Sequence, residues 1–567
     1  MKFSEYPYSR PDPQAIAAEY KSLAAQVAQA QESQTVLALW QRHQELSGDF
    51  SRMATVASIR YSINTQDPFW KGENDFYDAQ SPAVSAATLE FYRAVLASPH
   101  GAVLGETYGQ ILLQKLEIEV KSADDRVVEL MAQENALCSQ YQTLYASAMV
   151  EFEGKELTLP QLAPYKMSPV RATRRQAYEA EGRWFDQHQE ELDQLYTQLI
   201  QNRNQQAQIL GYEDYSQLSY LRMGRIGYDM NSVAEYRRQI AGDVVPLVAQ
   251  LVALRRQRLG LTDAKYYDAS ISFPQGNPQP QGTPQELLDH CRTLYHELSP
   301  ETAEFVDWMF ENETFDVLSK PGKSQGGYMT DIEGYGPFVF ANWNGTFDDV
   351  DTITHEMGHA FQGYVAQHTQ LPQELRSPTM ESCEIHSMSM EFLTSPWHHL
   401  FFGDQTDRYQ LMHAEDSVFF LPYGCMVDEF QHIAYQNPSL TPAERNAVWM
   451  ELERKYRPWN DFDGLPFYGR GAGWQRQLHI YLYPFYYIDY CLAQTVALQF
   501  FAAHLKDPKD AWKRYLALVN QCGAASYQGL VKAAGMEVPF QEGVMARVME
   551  PVVQWIRTHQ PQEEDKE

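Results

Sequence analysis

The sequence predicts a mainly α-helical protein with a small β region, and three observations carry that prediction. Hydroxyl-proline pairs that open helices recur at Ser81-Pro82, Ser168-Pro169, Thr283-Pro284, Ser299-Pro300 and Thr441-Pro442. Each puts a capping oxygen before a proline whose missing N–H costs nothing in a first turn. Long polar stretches carry apolar residues at three- and four-residue steps, as at Leu113, Leu116 and Val120, the period of a helix with one buried face. Strand-like alternation is confined to two short segments, each beside glycine.

From about Asp12 to Gln142 the helical period is long and polar, which predicts stacked hairpin helices. Val150 to Leu159 then alternates around Gly154-Lys155 and predicts a β-hairpin. Helices resume to about Leu259, and the stretch Phe273 to Gly282, rich in Pro, Gln and Gly, reads as an inserted surface loop. Gly326 to Asp331 and Phe338 to Trp343 flank Gly334 and Gly336 and predict a second hairpin. The most apolar stretch, about Tyr481 to Ala503, is broken by Pro484 and Asp489, which suits a buried helix and not a membrane span. The acidic tail after Thr558 is expected to be frayed or disordered.

The 567 residues include 45 Lys and Arg against 74 Asp and Glu, a formal net charge of -29. That balance argues against nucleic acid and anionic lipid as partners and suits a freely soluble protein. The cysteines (Cys138, Cys291, Cys383, Cys425, Cys491, Cys522) form no CxxC pair, so neither a disulfide framework nor a thiolate zinc site is indicated. Glu5 and Pro7 stand where a secretion signal needs an apolar core. A cytoplasmic protein with no obligate protein partner is the expectation.

The segment His355-Glu356-Met357-Gly358-His359 carries chemistry. On a helix, residues four apart lie one turn apart on one face, so both imidazoles can address one ion. Glu356 falls beside them, placed to take a proton from a water that zinc has acidified. Asp348, Asp349 and Asp351 suit the first turn of that helix, and Val350, Ile353, Met357, Ala360 and Phe361 form an apolar stripe. A catalytic zinc takes three protein ligands. The HExxHxxGxxH solution is excluded, because Gln362 and Val365 occupy the positions it needs. Glu381, Glu384 and Glu391 share one face of a following helix and are the candidates, while Cys383 and His386 point off that face.

With these residues in view, the sequence resembles the oligoendopeptidase F branch of the thimet-oligopeptidase-like zinc metallopeptidases. The likeness runs through Lys320-Pro321-Gly322-Lys323, Gly326-Gly327-Tyr328, Pro337 to Thr346, Thr354 to Gln362, Glu384 to Phe392, His479 and Pro484 to Tyr490. It implies a multi-helix ellipsoid with a deep central channel and a small β-hairpin region beside the HExxH helix. Residues 1–190 would be an N-terminal helical domain capping the channel, and 191–567 the catalytic domain. It implies one Zn2+ per chain, held by His355, His359 and Glu384, with Glu391 behind the ligands and Glu381 unassigned. Asp351 or Glu391 would accept from the outer ring nitrogens of the histidines. His479 with Tyr487 and Tyr490 would stabilise the oxyanion, Tyr486 being a third tyrosine of that cluster. The strand bearing Phe340, Ala341 and Asn342 would pair with substrate, and Gly471 and Gly473 belong to a flexible loop closing over it. The implied activity is hydrolysis of internal bonds in short unstructured peptides. Two rivals are a peptide-binding scaffold without turnover, which intact Glu356 opposes, and a carboxypeptidase, for which Arg470 is the candidate carboxylate anchor.

Overall fold

The computed structural model describes residues 1–561; the expectation for the acidic tail falls largely on residues beyond these. The protein is mainly α-helical with two small sheets, of two and three strands. Its contacts divide the chain into two units. The first comprises Met1–Ala123, Gln279–Thr406 and Gln499–Glu537, the second Asp124–Pro278, Asp407–Leu498 and Val538–Glu567. None of the described helices is long and apolar enough to cross a membrane. All the cysteines are free thiols.

In the first unit the predicted hairpin helices are Pro13–Gln29, Ser33–Ile63 and Pro68–Ala97. Asp12 caps the first of them by accepting from the Gln14 and Ala15 amides at 3.0 and 3.1 Å. Ser81-Pro82 does not open a helix: Pro82 lies inside Pro68–Ala97. Val84, Ala87, Phe91 and Val95 of that helix are buried with Tyr20, Leu23 and Trp40. This continuous apolar face outweighs a proline cost of roughly 3 kcal/mol in a helix interior. Thr283, Ser299 and Thr441 do cap their helices, each in a reciprocal box with the residue three positions on. After Ser168-Pro169 the helix starts only at Arg171.

The hairpin of the second unit pairs β1 (Met149–Phe152) with β2 (Lys155–Thr158). Its turn is centred one residue earlier than the sequence suggests, on Glu153 and Gly154, both with positive φ (49° and 73°). A two-residue turn of matching twist requires that conformation at both positions. The sheet of the first unit has β5 (Gly336–Trp343) between β3 (Phe315–Leu318) and β4 (Tyr328–Ile332). β4 pairs antiparallel with β5 as predicted, while β3 adds a parallel partner. One face packs on Phe3, Tyr6, Val56 and Ile59; the helix Asp348–Gln367 packs against β4 and β5.

Buried arginines anchor the late helices of the second unit. Arg203 bonds the Tyr481 carbonyl at 2.6 Å and the Tyr435 hydroxyl at 2.8 Å. Arg225 bonds the Phe485 carbonyl and, at 2.7 Å, Asp489. Both fix the chain on either side of the turn into Tyr487–Lys506.

Candidate active site

The helix Asp348–Gln367 carries Asp348, Asp349 and Asp351 in its first turn. Asp349 accepts from the amides of Asn344 and Gly345 at 3.0 and 2.7 Å, which fixes the helix start against the end of β5. His355 and His359 follow one turn apart, their ring centroids separated by 5.0 Å.

A second helix, Met380–Leu393, lies against the first. Gly358 sets how close they come: a Cβ there would stand 2.7 Å from both the His386 carbonyl oxygen and Ser387 Cα. Any larger residue would push the helices apart. The close approach brings Glu384 Oε2 to 3.2 Å from His355 Nε2 and 3.5 Å from His359 Nε2. Donor atoms of His355, His359 and Glu384 all lie within 4.8 Å of one another. Glu391 Oε1 accepts from His355 Nδ1 at 2.8 Å, which leaves Nε2 as the ring atom facing Glu384.

Burial alone would raise the Glu384 carboxyl, but the two imidazoles hold it well below its ordinary range. Burial would likewise lower His355, and Glu384 with Glu391 more than offset that and raise it. The cluster therefore favours positive charge among its donors. Two imidazole nitrogens and one carboxylate, with a carboxylate orienting one ring from behind, are a donor set that could hold a divalent metal ion.

Glu356 is nearly buried and faces β4. Burial raises its carboxyl, while His355, His359 and the Met329 amide pull the other way. A Cβ at Gly327 would stand 3.7 Å from Glu356 Oε1 and 3.3 Å from Thr352 Cγ2, so this glycine keeps the space at the carboxylate open. The family likeness includes Gly327 in Gly326-Gly327-Tyr328, but the sequence alone gives it no role. The reading of β5 as a substrate-pairing strand meets an obstacle. Phe340 is paired with Asp316 of β3 on one side and Tyr328 of β4 on the other. The Ala341 carbonyl accepts from Lys323 Nζ, and the Asn342 amide donates to Ser324 and Gly326. The strand edge near Glu356 belongs to β4 and the Gly326-Gly327 segment.

In the second unit, His479 lies on the short helix Leu478–Leu482 and the tyrosines open Tyr487–Lys506. Phe485 between them takes φ 67°, a left-handed conformation costing a non-glycine residue roughly 1 kcal/mol or more. Arg225 on its carbonyl, and Gln431 accepting its N–H at 2.9 Å, hold it there. The turn gathers Tyr487, Tyr490 and Tyr486 around the His479 ring at 4.9, 5.7 and 6.0 Å between centroids. Burial keeps the Tyr487 phenol well above its ordinary pKa, so it remains a proton donor. Gln477 Nε2 lies 2.8 Å from His479 Nδ1.

The remaining candidates divide clearly. Asp351 stands one turn before His355. Glu381 is fully buried, and His386 donates from Nδ1 to the Ser382 carbonyl at 2.9 Å, held neutral by burial with its pKa lowered to about 4. Burial pushes the Cys383 thiol up to about 12. Gly471 is packed so tightly that a Cβ would meet the Asn446 carbonyl at 2.3 Å, whereas Gly473 lines a cavity. Arg470 is engaged by Asp186 at 2.7 Å.

Comparison with known proteins identifies the family. The Peptidase M3 N-terminal domain pattern matches residues 3–123, and that of Peptidase family M3 matches residues 164–550. Oligopeptidase PepF of Bacillus subtilis (strain 168) is 23% identical over 529 residues, covering 87% of this chain and 76% of the relative. The chromosomal oligoendopeptidase F of Lactococcus lactis subsp. cremoris is 23% identical over 509 residues, covering 82% and 80%. Among solved structures, PZ peptidase A with an inhibitor is 42% identical with a TM-score of 0.91, covering 98% of this chain and 99% of that one. The chain belongs to peptidase family M3 and is a metalloendopeptidase related to the oligoendopeptidases F.

Proposed function

We propose that the protein is a zinc-dependent endopeptidase that cleaves internal bonds of short, unstructured peptides in the cytoplasm. The observation that carries this reading is the meeting of His355, His359 and Glu384 with Glu356 in the same helical turn. His355, His359 and Glu384 would hold one ion, and Glu391 would keep His355 in the tautomer that offers Nε2. Zinc bound there would acidify a water and polarise the scissile carbonyl.

The chain's own residues do the rest. Glu356 takes the proton of the attacking water on its carboxylate and passes it to the leaving nitrogen; its raised pKa suits it to hold that proton in between. The β4 edge and Gly326-Gly327, beside Glu356, are the main-chain groups we assign to the substrate backbone. His479, Tyr487 and Tyr490 are assigned to the developing oxyanion, on the family pattern and on their clustering as proton-bearing donors. Arg470, the candidate anchor of the carboxypeptidase alternative, is held by Asp186 through Nε.

The test is incubation of the purified protein with a defined peptide mixture, with and without chelator, and identification of fragments by mass spectrometry. Internal cleavage that disappears with chelator and in Glu356→Gln is the expected result. Stepwise loss of C-terminal residues would sink the endopeptidase reading.

A further inference from the structure

A cavity of about 250 Å³ in the second unit adjoins the His479 cluster. Tyr487 and Gln477 belong to both, and Gln477 links the cavity wall to His479 at Nδ1 while accepting from the Tyr423 hydroxyl at 2.7 Å. The other walls include Tyr266, Tyr423 and Trp449. Two of the charged residues lining it cancel: Glu453 accepts from Arg457 Nε at 3.0 Å and from Nη2.

Arg476 is different. It ends the turn Gly473–Arg476, three residues before His479, and its side chain is exposed, lining this cavity. Among the described residues its one hydrogen bond is a long contact, 3.4 Å, to the Tyr468 hydroxyl, and it has no carboxylate partner. Glu181, the acid whose field it feels, is already engaged by Lys166 and by Tyr468. Phenols surround it: Tyr266, Tyr423 and Tyr468 all sense its charge, as does Tyr487. A guanidinium offers five N–H donors in a planar fork that matches a carboxylate. In a chain of net charge -29, one uncompensated cation in an aromatic cavity beside the proposed oxyanion donors is a selective feature.

We propose that Arg476 anchors a carboxylate of the peptide substrate in this cavity, supported by Gln477 and Tyr423, and so sets the register in which short peptides are cut. The carboxylate is either the C-terminus of the peptide or an acidic side chain near it. The inference rests on the peptidase reading. Losing a charge-assisted bidentate pair corresponds to about 10- to 100-fold in binding.

The test compares one peptide as free acid and as C-terminal amide, and the amide carrying Glu or Gln at its penultimate position. Wild type, Arg476→Met and Arg476→Lys are assayed for kcat/KM. In wild type the carboxylate form is preferred about 10- to 100-fold, mainly through KM; the ratio approaches one in Arg476→Met and is partly kept in Arg476→Lys. An acid-over-amide preference identifies the C-terminus, and Glu-over-Gln identifies a side chain. Equal ratios in wild type and Arg476→Met overturn the proposal, as does a wild type indifferent to both carboxylates. Calorimetric binding of a tripeptide acid and its amide separates the two readings. Binding of the acid through Arg476 with no peptide cleaved sinks the peptidase reading alone. Cleavage without carboxylate preference sinks the anchor alone.

Discussion

The His355/His359/Glu384 cluster and the His479/tyrosine cluster are built by different means. The first consists of two regular helices: period fixes which residues face each other, and one glycine, Gly358, fixes their spacing. Its side chains lock one another through ion pairs, His355 to Glu391 at 2.8 Å and to Glu384 at 3.2 Å. The second is assembled on a turn with a left-handed Phe485, pinned by Arg225 and Gln431 from elsewhere in the chain. A cluster made by helical period states its geometry locally. One made by a tertiary turn does not, and its donors depend on supports far away in sequence.

That difference predicts a graded set of responses. Glu356→Gln removes the proton carrier while leaving the helix pair intact, so kcat should fall by about 10²- to 10⁴-fold with zinc content unchanged. Steady-state kinetics alongside elemental analysis checks both halves; retained turnover would remove Glu356 from the mechanism. Tyr487→Phe and Tyr490→Phe, compared singly, should lower kcat by about 100-fold for whichever phenol faces the oxyanion, with little change in zinc. If neither variant slows turnover, the tyrosines are packing groups only. Glu391→Ala should weaken zinc binding by about 10- to 100-fold, since His355 loses the acceptor that orients its ring. Competition with a fluorescent chelator reads this directly, and unchanged affinity would show the contact to be incidental.

A smaller effect probes the supports of the second cluster. His432 packs on Phe485 with ring centroids 4.8 Å apart. Burial lowers its pKa to about 4, assisted by Arg237 and Arg225 and opposed by Asp428 and Asp214. An unfolded histidine titrates near 6.5, so between about pH 6.5 and 4 the unfolded chain binds a proton that folded His432 refuses. Its neutral burial is fully tolerated above that window, and stability falls as pH drops through it, by about 2 kcal/mol at pH 5. Urea midpoints at pH 7 and pH 5 should therefore converge in His432→Gln relative to wild type. An equal acid loss in both proteins would assign the effect to other groups.

The same contrast explains what could be read from the sequence. The HExxH helix, its acidic first turn and the face bearing Glu381, Glu384 and Glu391 are local patterns, and residue types sufficed to find them. Choosing Glu384 among the three acids took the family likeness, because the choice depends on how far apart two helices sit. Capped starts at Thr283, Ser299 and Thr441 were legible for the same local reason. Pro82 was misleading because the packing of Phe91 and Val95 with Tyr20 and Trp40 overrides a local breaker. β3 was invisible: four residues with one buried side chain, paired in parallel across a long loop, leave no period to detect. Its presence makes β5 a central strand, so the edge we assign to the substrate backbone is that of β4. Arg476 escaped notice because its role lies in what it lacks, a carboxylate partner, and only the arrangement of Glu181, Lys166 and Tyr468 reveals that.

The central claim is that a carboxylate on the second helix completes a zinc centre begun by HExxH. Metal stoichiometry and peptide hydrolysis measured together on wild type, Glu356→Gln and Glu384→Ala test it most directly. One zinc per chain in wild type and Glu356→Gln, with turnover only in wild type, and neither zinc nor turnover in folded Glu384→Ala, is the predicted outcome. Full zinc and undiminished hydrolysis in Glu384→Ala would contradict it.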